Sequence, residues 1–195
     1  MQHDASTQQK ASGRLIFLIG PSGSGKDSVL DAARQELMAA GVLIARRVIT
    51  RSAEAKGEAA QGVTPERFAA MRAAGEFAMH WQANGLQYGI PAQVDHWLAQ
   101  GRSVLVNGSR AYLPEARKRY PDLLAVCLQV KPDVLRERLL ARGRETIDEV
   151  EQRLARSARL QVDPDVTVHW LDNSGSLVAA VSALLVLLRQ EGLLV

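Results

Sequence analysis

Nine residues constrain this chain more than any other feature: Gly20-Pro21-Ser22-Gly23-Ser24-Gly25-Lys26-Asp27-Ser28. They follow Arg14–Ile19 (RLIFLI), a short apolar run that reads as a strand buried on both faces. A helical stretch follows, to about Ala40. The phosphate-loop pattern asks for G-x-x-x-x-G-K and then Ser or Thr. Gly20, Gly25 and Lys26 fit it. Glycines at this spacing allow a tight turn whose backbone N–H groups point inward at phosphate oxygens. The following helix adds its positive N-terminal end. Pro21, Ser22, Gly23 and Ser24 complete the candidate nucleotide cradle, and the Lys26 ammonium is placed to neutralise charge on terminal phosphates during transfer. The lysine and the strand–loop–helix context argue against an ordinary turn.

Asp27 departs from the pattern, because a hydroxyl usually contacts magnesium there. A carboxylate is a hard oxygen ligand that can hold Mg²⁺ directly or through water. Two readings stand: Asp27 as a magnesium ligand, or Asp27 as a carboxylate complementing the helix dipole. Ser28 is the substitute ligand if the loop shifts by one residue.

The rest of the chain alternates. Strand-like runs recur at Leu43–Ile49, Ser103–Val106, Leu123–Val130 and Val166–Leu171, with helical stretches between them. Gly41 suits a helix C-cap, Thr64 and Ser176 suit N-caps, and Pro91 and Pro132 suit helix starts. This predicts an α/β fold with a five-stranded parallel sheet covered by helices on both faces. Ser52–Pro91 interrupts the alternation and reads as too polar for core, with turns at Gly85 and Gly89. It is expected to lie over the C-terminal edge of the sheet, where α/β folds bind ligands. At 195 residues the chain suits one domain, over 14–195, after a polar, disordered tail from Met1 to Gly13 that lacks the apolar core of a signal peptide.

Charge narrows the partners. Lys and Arg number 24 against 21 Asp and Glu, a net +3, and 19 of the 24 cations are Arg. The excess is too small and dispersed for a nucleic-acid groove, but it suits small phosphorylated ligands, which Arg grips bidentately. The longest apolar run, Leu177–Leu188, is shorter than the roughly 20 residues a bilayer span requires, so no membrane segment is expected. The single cysteine, Cys127, cannot form an internal disulfide, which points to a reducing cytoplasm. No cluster has zinc-ligand spacing, and no Ser/His/Asp arrangement demands covalent catalysis.

Beyond the loop, the chain from Arg14 onward resembles the guanylate kinase family of P-loop nucleoside-monophosphate kinases. Val48-Ile49-Thr50-Arg51 with Gly57-Glu58 is similar to that family's phosphate-gripping segment. Phe68, Gly75-Glu76-Phe77 and Tyr88-Gly89 follow the order of its acceptor subdomain. Leu135, Arg138-Leu139, Arg142-Gly143 and Arg153-Leu154 are similar to its arginine-bearing lid. The departures are informative. Glu54 stands where that family has a second phosphate-gripping Arg, and Ala60 near its phosphate-gripping Tyr. Met79 and Ile90 stand where it reads guanine. Neither side chain can accept a hydrogen bond from a guanine edge.

A narrower resemblance absorbs these departures. Gly-Pro-Ser-Gly-Ser-Gly-Lys-Asp-Ser, Arg47-Val48-Ile49-Thr50-Arg51, His80-Trp81-Gln82-Ala83-Asn84-Gly85 with Tyr88-Gly89-Ile90, and Val106-Asn107-Gly108-Ser109-Arg110 are similar to the ribose 1,5-bisphosphate phosphokinase family of bacterial phosphonate utilisation. The Asp after the loop lysine is typical of it. The resemblance implies an ATP- and Mg²⁺-dependent enzyme that makes 5-phospho-α-D-ribosyl 1-diphosphate. It also implies an acceptor-binding insertion at about 52–91 and a lid at about 142–153.

The candidate residues divide by role. Lys26, Arg138, Arg142 and Arg153 are catalytic candidates, the arginines closing over ATP or else pairing with Glu137 or Glu149 on the helix surface. The loop residues Gly20 to Ser28 are nucleotide candidates. Asn173 either borders the adenine or belongs to an ordinary turn, and Asp27 is the metal candidate. Arg47, Arg51, Tyr88, Ser109 and Arg110 are substrate candidates. The aromatics of the insertion either pack on a sugar or form local core. Two function classes remain: a small-molecule kinase, for the bisphosphate or for GMP or another acceptor, and a non-catalytic guanylate-kinase-like module that docks a phosphorylated partner. Monomer and homodimer both stay open.

Overall fold

A computed structural model describes residues 13–51, 60–143, 145–159, 162 and 167–194. Residues 1–12, Glu54, Gly57-Glu58 and Val166 lie outside the described residues. Gly13 lies inside them, and its N–H donates to the Leu98 carbonyl at 3.1 Å, so it belongs to the domain rather than to a tail.

In chain order the elements are β1 (Leu15–Ile19), α1 (Lys26–Ala39), β2 (Leu43–Ile44), β3 (Val48–Ile49), β4 (Gln61–Gly62), α2 (Pro65–Ala73), β5 (Phe77–Ala83), β6 (Leu86–Pro91) and α3 (Gln93–Ala99). Then come β7 (Val104–Asn107), α4 (Leu113–Arg119), β8 (Leu124–Gln129), α5 (Pro132–Ala141), α6 (Ile147–Arg159), β9 (His169–Asp172) and α7 (Leu177–Gln190). The main sheet has the order β2-β7-β1-β8-β9. Every pairing in it is parallel. All five strands therefore end at one edge, and the loops after them converge there.

Strand alternation splits the core into two layers. Ile16 and Leu18 of β1 pack with Val29, Leu30, Ala33 and Leu37 of α1 and with the buried face of α7. Leu15, Phe17 and Ile19 pack on the opposite side with Val94 of α3 and with Leu113 and Ala116 of α4. Thr64 and Ser176 cap α2 and α7, their hydroxyls accepting from the N–H groups of Arg67 and Ala179 at 3.2 Å each. Helix α6 carries a reciprocal cap that the sequence reading did not include. Glu149 Oε2 accepts from the Thr146 N–H at 2.8 Å, and Thr146 Oγ1 accepts from the Glu149 N–H at 3.3 Å.

Four expectations are corrected. The run Leu43–Ile49 is two strands: Leu43–Ile44 pairs with β7, whereas Val48–Ile49 joins a second sheet of order β4-β3-β6-β5. Gly89 is not a turn. It lies inside β6, where a Cβ would meet the Phe77 ring at 2.5 Å. The β5–β6 turn is instead Asn84-Gly85, with φ of 50° and 75°, the two-residue form that matches strand twist. Pro91 closes β6 rather than opening a helix.

The fourth correction concerns the insertion, which is not all surface. Met79 and Ile90 are opposite each other in the β5–β6 ladder and are 1% and 0% exposed. They pack into the same layer as Phe17 and Ile19 of the main sheet. Period-2 alternation explains this, because the neighbouring His80 faces outward. No helix among the described residues is long and apolar enough to cross a membrane.

If the hairpin is built into the core in this way, Met79→Ala and Ile90→Ala should each cost about 2–5 kcal/mol of folding stability. Denaturant unfolding measures this. Losses below about 1 kcal/mol would show the hairpin to be only loosely attached.

Candidate active site

The loop between β1 and α1 is held from beneath. Asn173, just past β9, is 3% exposed and donates its Nδ2 to the Ser24 carbonyl at 2.7 Å. Its own N–H donates to the Gln129 carbonyl at 2.8 Å, which anchors the contact to the end of β8. Gly25 sits directly above, with φ of 87°, and a Cβ there would come within 2.6 Å of the Asn173 Nδ2. The position needs glycine on both counts. Ser24 is fully buried.

Lys26 opens α1 and folds back over the loop, donating Nζ to the carbonyls of Gly20 and Pro21 at 3.0 Å each. Burial pulls its ammonium down from the ordinary 10.5 to about 8, and the neighbouring Arg47 charge adds to the fall. The next residue, Asp27, ties three elements together. Its Oδ1 accepts from Asn107 Nδ2 at 2.6 Å and from an Arg47 guanidinium nitrogen at 3.3 Å. Arg47 also donates to the Asn107 carbonyl at 3.3 Å and lies over the Tyr88 ring at 5.5 Å. Tyr88 in turn stacks on Trp81, with ring centroids 5.6 Å apart.

Helix α6 closes the far side. Arg153 donates to Ser22 Oγ at 3.1 Å and pairs with Glu145. Arg156 donates to Asn84 Oδ1, at the hairpin tip, at 2.8 Å. Arg110, from the turn after β7, donates to the Ser157 carbonyl and hydroxyl at 3.1 Å each. Burial holds the Arg110 guanidinium below its ordinary value.

These elements enclose a cavity of about 400 Å³. Among the described residues six cationic side chains line it, Lys26, Arg47, Arg110, Arg142, Arg153 and Arg156, and one carboxylate, Asp27. Such a site favours an anion carrying several negative charges.

Most of the residues singled out from the sequence meet here. Gly20, Ser22, Gly23, Gly25, Lys26, Asp27, Ser28, Arg47, Tyr88, Ser109, Arg110, Arg142 and Arg153 all line the cavity. Pro21, Ser24 and Asn173 are buried around the loop rather than lining it, with the Asn173 amide turned to Ser24. Arg51 ends the β3 segment and Arg138 lies on α5, neither among the lining residues. No ion pair among the described residues takes up Arg138 or Arg142, and Glu149 is engaged by Thr146. Among the described residues, no group of three or more His, Cys, Asp or Glu is arranged to hold a metal.

Arg156 and Ser157 are additions of the structure, and Asn107, known from the sequence only as part of a motif, gains a place in the site. Arg156 had a legible signal: it follows Arg153 by three positions, on the same helix face. Asn107 had a fainter one, as the single polar residue closing the apolar strand Val104–Asn107.

The geometry has counterparts. Residues 16–157 match a family model described as an AAA domain. The chain is 61% identical over 179 residues to ribose 1,5-bisphosphate phosphokinase PhnN of Azotobacter vinelandii, covering 92% of this chain and 97% of that one. It is 63% identical over 173 residues to the protein of the same name from Pseudomonas paraeruginosa, covering 89% and 94%. Among solved structures it resembles a guanylate kinase from Anaplasma phagocytophilum, with a TM-score of 0.68 at 16% identity, over 93% of this chain and 87% of that one. That likeness concerns the fold alone. Identity at this level over nearly the full length of the bacterial relatives decides the family: the chain belongs to the ribose 1,5-bisphosphate phosphokinases.

Proposed function

We propose that the chain transfers the γ-phosphoryl group of ATP to the 1-phosphate of ribose 1,5-bisphosphate, giving 5-phospho-α-D-ribosyl 1-diphosphate and ADP. The observation that carries this reading is the cavity, which among the described residues six cations and one carboxylate line between the phosphate loop and the β5–β6 hairpin. A donor triphosphate and an acceptor with two phosphates call for that balance. The buried, apolar Met79 and Ile90 support the same choice, because they offer nothing to a guanine edge.

An oxygen of the sugar 1-phosphate attacks the γ-phosphorus, the bond to the β–γ bridging oxygen breaks, and its electron pair leaves on ADP. The attacking group is already an oxyanion at neutral pH, so no general base is required. Positioning and charge neutralisation carry the catalysis. The loop N–H groups and the α1 N-terminus hold the donor phosphates, and Lys26 neutralises the charge that builds toward the leaving group. Arg47, Arg110 and the Tyr88 face receive the acceptor, with Arg51 and Ser109 at its border. Arg142 and Arg153 close from the lid side and exclude water, and Arg138 reaches from α5 toward the loop at Gly25. The domain thus divides into loop, acceptor insertion and lid, with α6 extending the lid to Arg159.

Asp27 fits a magnesium ion. It is a hard oxygen donor on the cavity wall, and the Asn107 Oδ1 beside it is buried without a hydrogen-bond partner. When bound, Mg²⁺ neutralises the polyphosphate and fixes its geometry. A cytoplasmic setting suits the buried free thiol of Cys127.

Steady-state kinetics with both acceptors, under the same ATP and magnesium, test the assignment. The expected kcat/KM for ribose 1,5-bisphosphate exceeds that for GMP by ~10⁴-fold. Comparable values, or a preference for GMP, would overturn the substrate and leave a kinase.

Lys26 adds a pH signature. Its ammonium stays protonated below about pH 8 and loses its charge above, so kcat/KM for ATP should fall as pH rises through about 8. Bound polyphosphate favours the charged form, so kcat should hold to higher pH. Lys26→Ala should lower kcat by roughly 10²–10³-fold and abolish that alkaline limb. An unchanged pH profile in the variant would assign the limb to another group.

A further inference from the structure

Asn107 ends a strand whose other residues are all apolar, and it is itself 4% exposed. A buried carboxamide in such a place needs a reason, since an unpaired amide is costly there. Its Nδ2 has a strong partner in Asp27 Oδ1, at 2.6 Å, a short contact of the charge-assisted kind. Its backbone carbonyl accepts from Arg47, which bonds to the same Asp27 oxygen. Strand β7 neighbours β1, so the end of one strand braces the loop that leaves the other.

The consequence falls on Asp27. Two donors converge on Oδ1 and fix the rotation of the carboxylate. In P-loop phosphotransferases at large, the loop brings a hydroxyl to this point and a strand end brings an acid. Here the acid is on the loop and the neutral polar group is on the strand. We propose that Asn107 is a positioning residue that acts through Asp27, the two forming one unit in which acid and neutral partner have exchanged sides. With an amide at 107, Asp27 is the one carboxylate among the described residues that line the cavity. A second acid there would meet Asp27 at hydrogen-bond distance.

This inference rests on the kinase reading above, so its test reads ATP affinity as well as turnover. The variants are Asn107→Ala, Asn107→Ser, Asp27→Ala, the alanine double, Asp27→Ser, Asn107→Asp, and the exchange that combines the last two. Each is measured for kcat/KM and, without acceptor, for ATP affinity by titration calorimetry in magnesium, alongside its melting temperature. Loss of a hydrogen bond to a charged group predicts a fall of roughly 10- to 100-fold for Asn107→Ala. In the Asp27→Ala background the same change should matter less than about twofold, because its target is gone. Asn107→Ser, too short to reach Oδ1, should reproduce the loss and stands in if the alanine variant is unstable. The exchange should outperform either of its single components. Losses that multiply, a neutral Asn107→Ser, or an exchange no better than its worse component would each overturn the proposal. Failure to turn over ribose 1,5-bisphosphate would instead refute the substrate, with the cycle in ATP affinity still decided.

Discussion

Like charges held at close quarters are the constraint around which this structure is arranged. Among the described residues six cations face one cavity, and two carboxylates answer them, Asp27 on its wall and Glu145 beside Arg153. Neutral oxygens do much of the restraining. Carbonyls of the loop hold Lys26, the Asn84 amide oxygen holds Arg156, Ser157 holds Arg110, and the Tyr88 ring lies under Arg47. Acceptors of this kind orient a cation without cancelling it. The positive potential therefore survives in a fixed geometry, ready for a polyanion, and little reorganisation is needed when charge shifts during transfer.

The fold delivers these groups by one topological fact. Because β2, β7, β1, β8 and β9 run parallel, their C-terminal ends share an edge. The phosphate loop leaves β1 there, Asn107 closes β7 there, and Asn173 follows β9 there. The two core layers on either face of β1 make this edge rigid. The hairpin β5–β6 is fixed to it through Met79 and Ile90, so that wall of the cavity has a solid footing.

Much of this was legible in the residues alone. The apolar run RLIFLI with its glycine-rich loop determines the central strand and the first helix, and five parallel strands follow from the alternation. What escaped is what depends on distant partners. Nothing local tells that Ala45–Arg47 carries the chain from one sheet to another, or that Gly89 is needed for the Phe77 ring rather than for a turn. Met79 and Ile90 were singled out for what they cannot read, and the structure adds that they are core. Asn107 has meaning only beside Asp27, eighty positions away in sequence. The candidate site was clearest where chemistry demands a contiguous motif, and faintest where single residues converge.

The attachment of α6 has a kinetic consequence. Three contacts, Arg153 to Ser22, Arg156 to Asn84 and Arg110 to Ser157, span the mouth of the cavity. Two substrates must enter and two products must leave through that mouth. If α6 must swing aside for that exchange, every turnover includes at least one breaking and one remaking of these bonds, whatever the speed of the chemical step. Opening of this gate sets an upper bound on throughput. A looser latch would quicken exchange and at the same time let water compete for the phosphoryl group, so the strength of four hydrogen bonds weighs speed against wasted ATP.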